Sequence, residues 1–362
     1  MKLPCIKIKY VCYGFNILFW GLLACGDLKT GNVQAPEDGH KLRQIGYYKL
    51  PIDYNTGFDA DFIYPFQLAD SSQQYVALGY RNTRIINVYD YGSQSIVKKL
   101  KFPFEGPNGI GNELGGFVFD GLDSIYVYAY WGKEVVLFHN NQAVKRYKLP
   151  DDGNKDPLVE LGNMCPLLKN DEKLYLSGLV NPFALDRKPV FEINTITDSI
   201  STVGYIPAKA FEGNYLYLNQ IKYDYIPNQH QIILGFDIMD IIYIYNPDNK
   251  KIEQFYAKAD NIGIIKPISN NPAFKPSKEE ANAYEISDRY WGIKYDPYRK
   301  LYYRFAIAGR TLDELYKGMM PSFILCVFDE NFNKIDELFL PYKSQIEMSF
   351  ITTEGLHIAN RS

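Results

Sequence analysis

The chain has 362 residues, with 39 basic and 42 acidic side chains and a formal net charge of −3. No block of like charge stands behind that balance, so the electrostatic footprint of a nucleic-acid binder is missing and no DNA or RNA partner is expected. Aromatic residues make up 15% of the chain, led by 31 Tyr and 22 Phe; they favour a pleated, half-buried surface and disfavour both disorder and an all-helical bundle.

Taken from the amino terminus, Lys2, Lys7 and Lys9 precede an uncharged, apolar stretch from Tyr10 to Gly26, the pattern of an export signal. As a helix its 17 residues would span roughly 26 Å, short of a bilayer core of about 30 Å, so a permanent membrane span is the weaker reading. The end of the stretch, Leu22-Leu23-Ala24-Cys25, resembles the lipobox of bacterial lipoproteins. That resemblance implies cleavage before Cys25 and acylation of its thiol. Residues 1–24 are thus read as a signal peptide, 25–41 as the lipidated Cys and a polar tether, and 42–362 as the folded domain. Of the five cysteines only Cys165 and Cys326 then remain in the domain. Each lies in an apolar, strand-like run, where a free Cys behaves as a small hydrophobe; a disulfide between them is the minor alternative.

A repeat organises the rest. Strands entered through Leu or Ile recur at Gln74–Leu78, Ser124–Tyr128, Lys173–Leu176, Gln231–Leu234, Lys300–Tyr303 and Gly355–Ile358, at intervals of 49 to 69 residues. Each of the first five is followed by two more strands joined by a short turn: Gly92-Ser93, Asn140-Asn141, Thr195–Asp198, Asn246–Asn249 and Asp329–Asn331. Asn140 and Asn141 tolerate positive φ. Periods of this size with four short strands per unit mark propeller blades. The fold expected is all-β: a six-bladed β-propeller of four-stranded blades, its last blade closed by Gln44–Leu50 from the amino terminus. Even so, the last blade is one strand short.

Two insertions interrupt the rhythm. Ala257–Asp288 carries Ser277-Lys278-Glu279-Glu280 and Gly309–Pro321 carries Thr311-Leu312-Asp313-Glu314, each a capping box that predicts a short helix. Both are expected on one face of the ring.

The lipobox, Phe104-Glu105-Gly106-Pro107-Asn108-Gly109-Ile110-Gly111 after the first blade, and Tyr295-Asp296-Pro297-Tyr298-Arg299-Lys300-Leu301-Tyr302-Tyr303-Arg304-Phe305 in the fifth resemble a lipid-anchored six-bladed-propeller family of Bacteroidota, a domain of unknown function among TolB-like, propeller-type lipoproteins. The resemblance runs over nearly the whole mature chain. It implies fold and address but no activity.

Motifs for chemistry are sparse. Glu105–Gly111 lacks the Lys-Ser/Thr and the strand-loop-helix setting of a phosphate loop and reads as a turn. Asn181, Asp237, Glu105 and Asn108 could offer oxygen ligands to Ca²⁺ from separate blades, but no local spacing supports it. His139 and His230 stand at turns without a partner at diagnostic spacing. No cofactor or metal is expected. The connections leaving the second strands are more informative, because the repeat gathers them on one face. They carry Tyr80, Arg81, Trp131, Asp237 and Arg304, aromatic rings beside polar groups that can stack on a ligand and hydrogen-bond its edges. The competing reading is that these aromatics fill blade interiors. The sequence therefore describes a lipid-anchored protein of the cell envelope, in the outer membrane and facing the periplasm or the exterior. It acts as a binding or scaffold module for a glycan, a peptide or an envelope protein. The alternative is a hydrolase or lactonase with a metal in the central channel.

Overall fold

The computed structural model describes residues 2–10, 42–51, 60–68, 71–150, 159, 161–177, 190–211, 221–268 and 277–360. The chain begins with β1 (Lys2–Tyr10) and β2 (Leu42–Pro51). The first blade is β3 (Phe62–Gln67), β4 (Gln74–Tyr80), β5 (Ile85–Asp90) and β6 (Ile96–Lys101); the second is β7 (Leu114–Phe119), β8 (Ser124–Ala129), β9 (Glu134–His139) and β10 (Gln142–Lys148). The third is β11 (Leu168–Asn170), β12 (Lys173–Ser177), β13 (Val190–Asn194) and β14 (Ile200–Val203). The fourth is β15 (Ile221–Ile226), β16 (Gln231–Phe236), β17 (Ile241–Tyr245) and β18 (Ile252–Tyr256). After α1 (Lys278–Ile286) comes the fifth: β19 (Arg289–Asp296), β20 (Leu301–Ala308), α2 (Leu312–Tyr316), β21 (Ser322–Phe328) and β22 (Lys334–Phe339). β23 (Ser344–Thr352) and β24 (Gly355–Asn360) end the series.

Five four-stranded blades, not the six expected, are thus built of consecutive strands. The remaining sheet is composite, in the order β2-β1-β24-β23. The expected amino-terminal strand is present as β2, but it does not pair with the carboxyl-terminal hairpin. β1 stands between them, antiparallel to both, so the strand that the sequence left lacking comes from Lys2–Tyr10. Residues 11–41, with Cys25, lie outside the described residues. No helix among the described residues is long and apolar enough to cross a membrane.

Each sheet is packed between two others, which is why the middle strands are apolar on both faces instead of alternating. β5 is buried at every position and β21 at all but its first, whereas the outermost β10 and β18 alternate. Six apolar layers result, one between each pair of successive sheets, and the layer holding Tyr48, Leu50, Tyr89, Tyr91 and Phe350 joins the composite sheet to the first blade. Cys326 is buried in such a layer, where burial pushes its thiol well above the ordinary range, and no disulfide joins it to Cys165.

The turns follow their chemistry, with one exception. Asn140 and Asn141 have φ of 49° and 65° as their side chains permit. In the first blade it is Gln94, not Gly92, that takes positive φ (58°), because the Asp90 carboxylate holds the Ser93 amide and fixes a longer turn. Both expected helices form with complete capping boxes at Ser277/Glu280 and Thr311/Glu314. They lie on one face: Asn282 Nδ2 donates to the Tyr316 hydroxyl at 3.0 Å, Arg310 pairs with Glu285 at 2.9 Å, and the Asp288 carboxylate accepts from the amides of both Gly263 and Gly309.

Candidate functional site

The inner strands of a propeller surround a channel, and here a single turn fills it. Leu161–Cys165 precedes the third blade and is closed by a bridge between Gly162 and Cys165. Asn163, 7% exposed, accepts from the Ile63 amide at 2.7 Å and donates to Met348 Sδ at 3.1 Å; its carbonyl takes the Lys294 ammonium at 2.7 Å. The next carbonyl, of Met164, accepts from the Tyr223 amide at 3.0 Å. One turn thereby touches the first, fourth and fifth blades and the composite sheet. Its two apolar side chains need room, and two glycines provide it. A Cβ on Gly116 of β7 would stand 2.8 Å from Leu161 Cδ1, and one on Gly292 of β19 2.8 Å from Met164 Sδ; both glycines have φ near +153° and sit at strand bulges. Beside the turn, burial pushes the Asp224 carboxyl up against the pull of Lys294, and burial lowers Lys294 against the pull of Asp224. The sequence reading of a strand-like run around Cys165 is corrected accordingly: Cys165 lies in the turn, and the strand begins only at Leu168.

Four of the five expected binding residues fall into two groups at different blade junctions. Between the first and second blades, the Arg81 guanidinium lies 5.2 Å from the Phe62 ring and 5.3 Å from the Tyr130 ring, with Glu113 at 3.9 Å. Its backbone amide is fixed by Asp61 at 2.7 Å. Trp131 meets Tyr130 edge-on at 5.3 Å and is 52% exposed. Tyr80, in contrast, is buried in the layer against the composite sheet.

Between the fourth and fifth blades lie Asp237 and Arg304, each 1% exposed. Arg304 is interior: its guanidinium stacks on Tyr290 at 3.3 Å and donates to the carbonyls of Met239, Asp240 and Ala257. That agrees with the competing reading of blade filling for this residue. Asp237 has no hydrogen-bond partner for either carboxylate oxygen among the described residues. Burial pushes its pKa up to about 7 against the opposing charges of Lys222, Arg289 and Arg304. Lys222 and Arg289 both face the Trp291 ring, at 5.1 and 5.8 Å, and Arg289 also lies 4.6 Å from Tyr284 of α1.

The family model described as "Domain of unknown function (DUF4221)" matches residues 61–338, which takes in all five contiguous blades. The chain belongs to the DUF4221 family. Among solved structures, a DUF4221 member from Bacteroides vulgatus is 21% identical with a TM-score of 0.68, over 85% of this chain and 89% of that one. A Bacteroides fragilis protein named as exported is 11% identical with a TM-score of 0.50, over 81% and 74%. A Bacteroides uniformis protein named as a 6-phosphogluconolactonase is 11% identical with a TM-score of 0.48, over 99% and 88%. The first two likenesses show the fold. Among curated proteins, none matches the sequence.

In this DUF4221 chain the remaining motifs have structural work. Asn108 of the glycine-rich turn ties to Gln142 at 2.9 Å and to the Ala143 amide at 2.8 Å, holding the crossing between blades against β10. His139 is exposed beside Ser124 Oγ at 2.9 Å, and His230 sits in a left-handed turn, φ 51°, near Asn170. Asn181 lies outside the described residues. The sequence reading missed Asn163, Lys222, Arg289 and Trp291. Lys222 and Arg289 were visible as charges in the inner strands β15 and β19, and Gly116 and Gly292 as glycines where a strand should carry side chains.

Proposed function

We propose that this DUF4221 protein is an exported, lipid-anchored propeller whose sixth sheet keeps β2, β23 and β24 once residues 1–24 are removed, and that it binds a glycan, a peptide or an envelope protein. The single observation that carries the reading is the pairing of an exposed Trp131, braced by Tyr130, with an Arg81 guanidinium already ordered between two rings. Such a surface stacks on a sugar or a side chain without first paying to order its own groups. Cys25 is the acylated residue in this reading, and the likeness to a B. fragilis protein named as exported supports the address. The alternative, a hydrolase or lactonase with a channel metal, needs space along the axis where Asn163 and Met164 lie, and for that reason binding is preferred. An array of glycans and peptides probed with the wild-type protein tests the proposal. Saturable binding to members of one class is expected; a silent array together with hydrolysis of a lactone would favour the alternative.

A further inference from the structure

We infer that Asp237 and Arg289 form a pH-dependent latch between the fourth and fifth blades. While Asp237 is protonated, Arg289 holds the end of α1; once Asp237 ionises, Arg289 turns to the carboxylate and releases the helix. The latch is independent of the lipid anchor and of the ligand proposed above.

Its basis is a pair of complementary groups left apart. Asp237 follows β16, and its backbone carbonyl accepts from the Tyr290 amide at 2.8 Å, which sets it beside Arg289 at the start of β19. Both residues are buried, Asp237 at 1% exposure and Arg289 at 5%. Among the described residues neither carboxylate oxygen of Asp237 has a hydrogen-bond partner, and neither does Arg289 Nε. Two acceptors and a donor that could complete one another thus stay unmet, in a setting where each unmet group is costly. Solvent does not make up the difference, because the cleft that Asp237 lines with Lys222, Tyr290, Gly292 and Arg304 has no room for a water molecule.

The Arg289 guanidinium is instead engaged with α1. Its Nη1 donates to the Tyr284 carbonyl at 3.0 Å and to the Ser287 carbonyl at 3.1 Å, and it lies 4.6 Å from the Tyr284 ring. Tyr284 is in the last turn of α1 and Ser287 is its C-cap. A cation placed there meets carbonyls that the helix itself leaves without partners, at the end where the helix dipole favours positive charge. None of the residues of α1 is fully buried. Its attachment therefore relies on Tyr284, on this guanidinium and on the Asn282–Tyr316 and Glu285–Arg310 contacts.

The other charged and titratable groups around the pair have contacts of their own. Arg304 donates to the carbonyls of Met239, Asp240 and Ala257, and Lys222 of β15 faces the Trp291 ring at 5.1 Å. Asp240 accepts from the Tyr290 hydroxyl at 2.6 Å, Asp288 accepts from the amides of Gly263 and Gly309, and Glu285 pairs with Arg310. Glu347 of β23 adds a negative charge toward Tyr284. Of the three cations that pull on Asp237, namely Lys222, Arg289 and Arg304, Arg289 is the one bonded to α1 carbonyls. Burial keeps the carboxyl protonated up to about pH 7 against that pull. Above it, a bare carboxylate in a dry cleft draws the guanidinium whose Nε is open to it, so α1 is held on the acid side and let go on the alkaline side.

Amide exchange of the intact protein tests the latch, with protection expressed relative to the unstructured rate at each pH. Between pH 5.5 and 8.5 the α1 amides are expected to lose about tenfold in protection while those of β20 stay constant. Asp237→Asn, which cannot ionise, is expected to keep the low-pH protection of α1 throughout. If that variant does not fold, Arg289→Met takes its place: it removes both bonds to α1 and the donor to Asp237, and leaves α1 weakly protected at either pH. Protection of α1 that is constant with pH in the wild type overturns the latch, and so does an undiminished pH response in either variant.

Discussion

Asp237 is a carboxylate in a dry, crowded setting, and its energetics are unusual for an acid among cations. Burial outweighs the pull of Lys222, Arg289 and Arg304 and leaves the group half-protonated near neutrality, at about 7 against an ordinary 3.8. The folded state then holds a proton that the unfolded chain has already released. Stability is therefore highest below about pH 4 as far as this group is concerned, falls as pH rises toward 7, and levels off above it. At roughly 1.4 kcal/mol per pH unit the accumulated loss reaches about 4 kcal/mol. Asp237→Asn is predicted to flatten that slope in urea melts between pH 4.5 and 8 and to raise the melting temperature at pH 8. An unchanged slope would mean that Asp237 stays ionised in the folded protein.

Among elements, the turn at Leu161–Cys165 is the one that decides how the channel can be used. Its fit depends on Gly292, where any side chain would combine an unfavourable φ with a contact to Met164 too close to hold. Gly292→Ala is predicted to cost about 2–3 kcal/mol in chemical denaturation, whereas Gly46→Ala, with open space around the added carbon, changes stability by less than about 0.5 kcal/mol. Equal effects would show that the turn does not seat against β19. The blades themselves were legible because each carries its own signals. Apolar second strands, Asn-Asn and Asn-Pro-Asp-Asn turns and two capping boxes are local chemistry, and each element formed close to where its residues place it. The plug was not legible, because Asn163 acts through strands up to 185 residues away, and nothing in Gly162-Asn163-Met164 distinguishes a turn inside a channel from one on the surface. Arg304 shows the same limit in reverse. Its place after a second strand suggested an exposed face, but the carbonyls of Met239, Asp240 and Ala257 that hold it inside come from a neighbouring blade.

For the whole molecule, two features decide between a ring that closes to present one face and a set of blades packed in series. Closure depends in part on β2, which ties the first blade to the fifth through Tyr48–Tyr91 and Leu42–Asp336. Deleting residues 40–52 is predicted to lower the melting temperature far more than deleting 26–38, since only the first deletion removes a strand and its layer of packing. Equal melting temperatures would contradict closure by β2. Presentation depends on Trp131. As an exposed ring it adds little to the core, so Trp131→Ala should leave the melting temperature within about 2 °C. The same variant should lose at least about tenfold in affinity for the glycan or peptide that the wild type binds, as expected when a central aromatic anchor is removed. Measuring both quantities on this one variant is the most direct test of a propeller that binds through the face at Arg81, Tyr130 and Trp131. An intact melt with weakened binding is the predicted result, and a collapsed melt, or full affinity retained, would contradict it.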